Sequence, residues 1–156
     1  MSLLTVRQAP DPMLREPASA VRVMRDQEFS EAIALGGLML QTMREWGGVG
    51  LAANQVGRLV RVIVVDLGGE PYVMVNPRIT KLSPELQLSR EGCLSVEAGK
   101  RQGQVHRAKR IVVEWVDEAG ESRKQKFAGL IAAVIQHEVD HLDGVLWTDK
   151  AVGNAA

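Results

Sequence analysis

The sequence predicts a mixed fold, with one helix near the N-terminus, one near the C-terminus and antiparallel β-hairpins between them. Three observations predict it. Residues 27–45 carry apolar side chains at helical spacing. Four strand-like runs between residues 59 and 127 pair off across connections too short to hold a crossover helix. Residues 130–142 read as a helix that is apolar on nearly every face through its first two turns, and such a helix is normally buried.

Each element has a local reason. Pro10, Pro12 and Pro17 make the first twenty residues an irregular or extended arm. A helix follows over Gln27–Glu45, with Asp26 as its N-cap and with Phe29, Ile33, Leu40 and Met43 on one face. Gly47, Gly48 and Gly50 stop it. Leu59–Asp66 is dense in Val and Ile, Gly68-Gly69 is a turn, and Tyr72–Asn76 is the return strand. Ile111–Asp117 turns at Ala119-Gly120 into Ser122–Phe127, and Gly129 opens the last helix, Leu130–Leu142.

At 156 residues the chain is expected to form one domain over 1–156. The 19 basic and 19 acidic side chains cancel, so no global field draws it to nucleic acid or an anionic membrane. Lys100-Arg101 and Arg107–Arg110 read as solvated surface. The N-terminus lacks the pattern of a secretory or transit segment, and Phe127–Ile135, the longest apolar run, is far too short to span a bilayer. A single cysteine forms no internal disulfide, so a reducing, cytoplasmic setting is expected.

The buried helix contains polar residues that need an explanation: Gln136, His137, Glu138, Asp140 and His141, in the run QHEVDH. Residues four apart share a helical face, so His137 and His141 can grip one ion. Glu138 lies beside that ion without being forced to ligate it. There it can take a proton from a water on the metal and pass it to a leaving group, as general acid/base. The bland alternative is that two core histidines and a glutamate satisfy one another. Three ionisable groups in an apolar helix are costly unless paired or coordinated, and only His106 lies outside the motif.

A hydrolytic metal site needs a third protein ligand and an open position. The HExxHxxGxxH pattern would put a histidine where Trp147 stands, and no glutamate follows Glu138, so neither familiar protease ligand set is complete. Cys93, in REGCLSV, is the remaining strong ligand; Gly92 permits a tight approach there, and a strand is expected to follow. A set of Cys93, His137 and His141 suits Zn²⁺ or Fe²⁺.

Three segments together resemble the peptide deformylase family: Gly48-Val49-Gly50-Leu51-Ala52-Ala53-Asn54-Gln55, Glu91-Gly92-Cys93-Leu94-Ser95, and Gln136 through His141. The Asn76-Pro77 pair also matches, and the similarity runs from about Asp11 to Asp149. The resemblance implies an α+β fold, with antiparallel β-sheets packed around a buried C-terminal metal-binding helix, and an N-terminal helix. It implies removal of the N-formyl group from formyl-methionyl peptides or nascent chains, releasing formate. It makes Gln55 and the backbone N–H of Leu94 the oxyanion donors. It places Val49, Gly50, Leu130, Ala133 and Val134 along the substrate, chiefly around the methionine side chain. The implied cofactor is one divalent ion, Fe²⁺ first, with Zn²⁺, Ni²⁺ and Co²⁺ as alternatives. A Glu91–Arg107 ion pair would brace the cysteine loop.

Two departures stand against the pattern. Glu97 replaces the proline usual after CLSV, in a Glu97–Gln104 loop that is slightly longer than in bacterial relatives and borders the groove. The chain ends at AVGNAA without the further helix of many bacterial members, so a ribosome surface stays a candidate partner without a docking tail. Two other readings compete: an amidohydrolase of this kind acting on another small N-acyl substrate, and a binding module without catalysis.

Overall fold

The structure, a computed structural model, describes residues 3–153. The N-terminal arm makes one 3₁₀ turn, Pro12–Arg15, which Asp11 caps through the Met13 N–H. Helix α1 spans Asp26–Glu45. Its N-cap is Arg25, so Asp26 is the first helical residue rather than the cap; its carboxylate sits in the first turn with Glu28, where it faces the positive end of the helix dipole. The buried stripe is Ala32, Leu35, Met39, Leu40 and Met43, while Phe29 and Ile33 are only partly buried at its edge.

Seven strands follow. They are β1 (Gly50–Ala52), β2 (Val62–Val65), β3 (Tyr72–Leu82), β4 (Leu86–Gly92), β5 (Gln102–Ala108), β6 (Arg110–Val116) and β7 (Ser122–Ala128). A five-stranded antiparallel sheet has the order β1-β2-β3-β6-β7, and β4 pairs with β5 alone. Helix α2, Gly129–Leu142, follows β7 directly. The α+β reading therefore holds. All of β2 is buried because it is covered on both faces: Val62 and Val64 pack with α1, and Ile63 and Val65 pack with α2.

Three expectations change. The return strand runs to Leu82 rather than Asn76, crossing a register shift between Val75 and Arg78. Asn76 sits there at φ +53, and its side-chain amide pairs with both backbone groups of Val21, so the Asn-Pro pair anchors the N-terminal arm. The strand at Cys93 precedes it, as β4, rather than following it. Leu130, expected within a buried helix, is 65% exposed, in the first turn of α2.

Candidate functional site

Helix α2 supplies four of the site's polar groups from one stretch. Gln136, His137, Glu138 and His141 are all buried. Cys93 reaches them from just past the end of β4, where the chain enters the loop that joins β4 to β5. Cys93 Sγ is 3.2 Å from His141 Nε2, and the two histidine Nε2 atoms are 3.3 Å apart. All three donor atoms lie within 4.8 Å of one another. That spacing matches the roughly 3.3 Å edge between two nitrogens each about 2.0–2.1 Å from one tetrahedral ion. One sulfur and two imidazole nitrogens, with no fourth donor grouped with them among the described residues, fit a divalent metal with an open position.

The imidazole of His137 is aimed by its other nitrogen. Nδ1 donates to Glu91 Oε1 at 2.8 Å, leaving Nε2 for a metal. Glu91 is held in turn by a two-pronged contact from Arg107, at 2.8 and 2.7 Å. The same guanidinium reaches Asp140 at 2.6 Å. Arg107, expected once as a surface run and once as the partner of Glu91, is 3% exposed and takes the second role. Burial would raise the Glu91 carboxyl, but the hydrogen bonds from Arg107 and His137 outweigh it and hold it at about 2. Burial would lower His137, but the neighbouring Glu138, Cys93 and Glu91 push it up to about 10. His141 is pushed well below the usual imidazole range, by burial first and then by the charge of His137.

Two atoms of the site are buried without a partner, His141 Nδ1 and the Oε1 of Glu138, and Glu138 is the one that faces open space. Burial pushes its carboxyl up to about 7. It faces a pocket of about 280 Å³ that also takes in Cys93, Leu94, His137, Val49, Gly50, Leu130, Ala133 and Val134. All five expected substrate residues therefore line one cavity. Ala133 and Val134 are buried at its floor, whereas Leu130 and Val49 stand exposed at its rim. A Cβ on Gly50 would come within 2.5 Å of Glu138 Oε2, which is why a glycine stands there.

Gln55 does not line that pocket. Its Nε2 donates to Ser95 Oγ at 3.0 Å and lies 3.5 Å from Cys93 Sγ, while its Oε1 accepts from Ala52 N at 2.9 Å. The residue after CLSV also finds its explanation. Glu97 and Ala98 have φ of +49 and +52, a left-handed backbone that proline, fixed near −65°, cannot adopt. The loop is shorter than expected, because Gln102–Gln104 already belong to β5.

Several contributors were not foreseen. Asn54 donates to the His141 carbonyl, and Gln136 pairs with both backbone groups of Ala108. The N-terminal arm passes between the two motif loops: Arg7 N donates to the Gln55 carbonyl and Ala9 N to the Ser95 carbonyl, both at 2.7 Å. Asn54 and Gln136 lie inside motifs and could have been marked from their neighbours. The arm carries no local signal at all.

The sequence pattern of the family described as polypeptide deformylase matches residues 3–155. The peptide deformylase of Dictyoglomus thermophilum is 45% identical over 147 residues, covering 94% of this chain and 92% of its own. That of Desulforudis audaxviator is 41% identical over 152 residues, covering 97% and 95%. The crystal structure of the Thermotoga maritima peptide deformylase superposes with a TM-score of 0.88 at 36% identity, covering 98% of this chain and all of that one. A Met-Ala-Ser-bound structure of the Acinetobacter baumannii enzyme superposes at 0.85 with 34% identity, covering 96% and 98%. A match running from residue 3 to residue 155, with relatives above 40% identity over more than nine-tenths of their length, is more than a shared fold: the chain belongs to the polypeptide deformylase family.

Proposed function

We propose that this chain, acting as a single catalytic domain, removes the N-formyl group from formyl-methionyl peptides and nascent chains at the Cys93–His137–His141 centre. The products are formate and a free N-terminal amine. The observation that carries the proposal is the buried, unpartnered Oε1 of Glu138 facing the same pocket as two of the three ligand side chains. Cys93, His137 and His141 would hold one divalent ion, Fe²⁺ first among Zn²⁺, Ni²⁺ and Co²⁺; when bound, it polarises the formyl oxygen and makes a water acidic enough to act as nucleophile near neutral pH.

The chain's own residues do the rest. Glu138 takes the proton of the attacking water and delivers it to the departing nitrogen as the C–N bond breaks. A carboxyl raised to about 7 suits both halves of that transfer. Gln55 Nε2 and the Leu94 N–H are the proposed donors to the oxygen that gains negative charge. The methionine side chain is proposed to enter the pocket over Ala133 and Val134, between Val49 and Leu130. The Met-Ala-Ser complex of the Acinetobacter baumannii relative supports a methionine-headed peptide. Among the described residues no helix is long and apolar enough to cross a membrane, and the proposed setting is the cytoplasm, where nascent chains emerge.

The substrate is tested with matched formyl-methionyl and acetyl-methionyl peptides. Formyl substrates should be strongly preferred. Equal or faster turnover of the acetyl peptide would overturn the proposal in favour of a different small N-acyl substrate.

A further inference from the structure

The arm residue Gln8 touches no ligand, yet its amide is tied to both sides of the loop that carries one. Its Nε2 donates to the Leu94 carbonyl at 2.7 Å, and its Oε1 accepts from Ala98 N at 2.9 Å. The carbonyl of Leu94 and the N–H of Ser95 belong to one peptide group. That N–H lies 3.4 Å from Cys93 Sγ and donates to it. Gln8 therefore stands at the head of a continuous chain: Nε2–H to the Leu94 carbonyl, through the peptide, and from Ser95 N–H to the sulfur.

Such a chain has a direction. A carbonyl that accepts a hydrogen bond polarises its peptide, so the N–H at the other end donates more strongly. Hydrogen bonds to a metal-bound sulfur lower the energy of its donor electrons and so tune the metal. The second arm of Gln8 explains why the loop holds still. Ala98 keeps a left-handed φ of +52 next to Glu97 at +49, conformations that non-glycine residues rarely take without outside support. The Gln8 oxygen, on the Ala98 N–H, supplies it. The adjoining Gly99 lines the pocket, so one side chain fixes both the ligand loop and the pocket wall.

We infer that Gln8 is a positioning residue for the metal-bound Cys93 sulfur, acting through the Leu94–Ser95 peptide. This rests on Cys93 being a metal ligand, as proposed above. The effect at the metal should be smaller than that of losing a partner held directly by a ligand, because one peptide group intervenes.

The test uses the full chain loaded with Co²⁺, as wild type, Gln8→Met and Gln8→Asn. Met keeps the side chain's length, and Asn keeps its amide but falls short of both partners, so a shared effect reports the lost donor rather than volume or polarity. In both variants the sulfur-to-cobalt charge-transfer band should move to longer wavelength. Loss of Co²⁺ to a chelator should be about three to ten times faster, below the roughly 10–100-fold typical of partners bonded directly to a ligand. A band unmoved in either variant overturns the inference, even if the melting temperature falls, because a merely structural arm would lower stability and leave the band in place. The ligand assignment is read separately from the wild-type band and its loss in Cys93→Ala. A Co²⁺ form without that band overturns the assignment and the Gln8 role together, whereas a band present but unmoved overturns the Gln8 role alone.

Discussion

Helices α1 and α2 lie on opposite faces of β2 and β3, and both are packed against Val and Ile side chains of those strands. They differ in what they bury. The hidden stripe of α1 is apolar apart from Thr42, whose hydroxyl donates to its own helix at Leu38 and accepts from Leu4 N. The hidden face of α2 includes Gln136, His137, Glu138 and His141. One helix is buried because water is a worse neighbour than methyl groups. The other is buried although several of its groups prefer water, and it is helped to stay so because Glu91, itself held by Arg107, partners His137 and Ala108 partners Gln136 from neighbouring strands. The lesson is that the same depth of burial serves stability on one face of the sheet and chemistry on the other.

That contrast can be broken from either side. The largest effect is expected at the carboxylate whose buried Oε1 has no partner. Glu138→Ala should lower kcat by about 10²–10⁴-fold, the range of lost general acid/base catalysis, while elemental analysis still finds the metal bound. Loss of the metal would instead make Glu138 a structural support for the ligands.

Next come two substitutions of similar cost and opposite meaning. Arg107→Ala strands the Glu91 carboxylate in the interior and should destabilise by about 3–5 kcal/mol, with a parallel loss of metal affinity. Met39→Ala, in the fully buried stripe of α1, should destabilise by about 2–5 kcal/mol yet leave metal content and turnover per folded molecule unchanged. Denaturant melts paired with metal analysis check both. If Met39→Ala sheds metal as readily as Arg107→Ala, the two faces are not separable.

The smallest effect is one of pH. Glu91 titrates at about 2 in the folded chain, below its ordinary 4.5, so it contributes stability above pH 4.5 that disappears as pH falls through about 2. In metal-free protein this group should account for about 3 kcal/mol of the acid loss. Subtracting the melting curve of Glu91→Gln from that of wild type between those values isolates it. A difference that does not change with pH would mean that Arg107 and His137 do not hold the carboxylate as the geometry indicates.

The same comparison explains what could be read in advance. Helix α2 was legible because its chemistry is local: His137, Glu138 and His141 fall into place from helical spacing alone. The β4–β5 hairpin was not, since its pattern runs backwards. Leu86 and Leu88 are more than half exposed, while Ser89, Glu91 and Arg107 are buried, so reading apolar residues as the inward face misses the strands that carry Cys93. The cap of α1 went to Asp26 because carboxylates suit that end of a helix, although at the first helical position it meets the dipole without bonding a backbone N–H. The extension of β3 beyond Pro77 was hidden by the proline, which the register shift accommodates.

Sequence alone determined the donor chemistry: two histidines one turn apart, a carboxylate between them, and one cysteine. Those are properties of residue type and of spacing within a single element, which survive any packing. Only the tertiary structure decided how that chemistry is held. Gln55 is fixed by Ser95 beside the cysteine sulfur, Arg107 lies inside rather than at the surface, and the arm at Gln8 closes over the cysteine loop. Each of these depends on contacts between residues 16 to 90 positions apart, and their strength comes from burial, which no local pattern of side chains specifies.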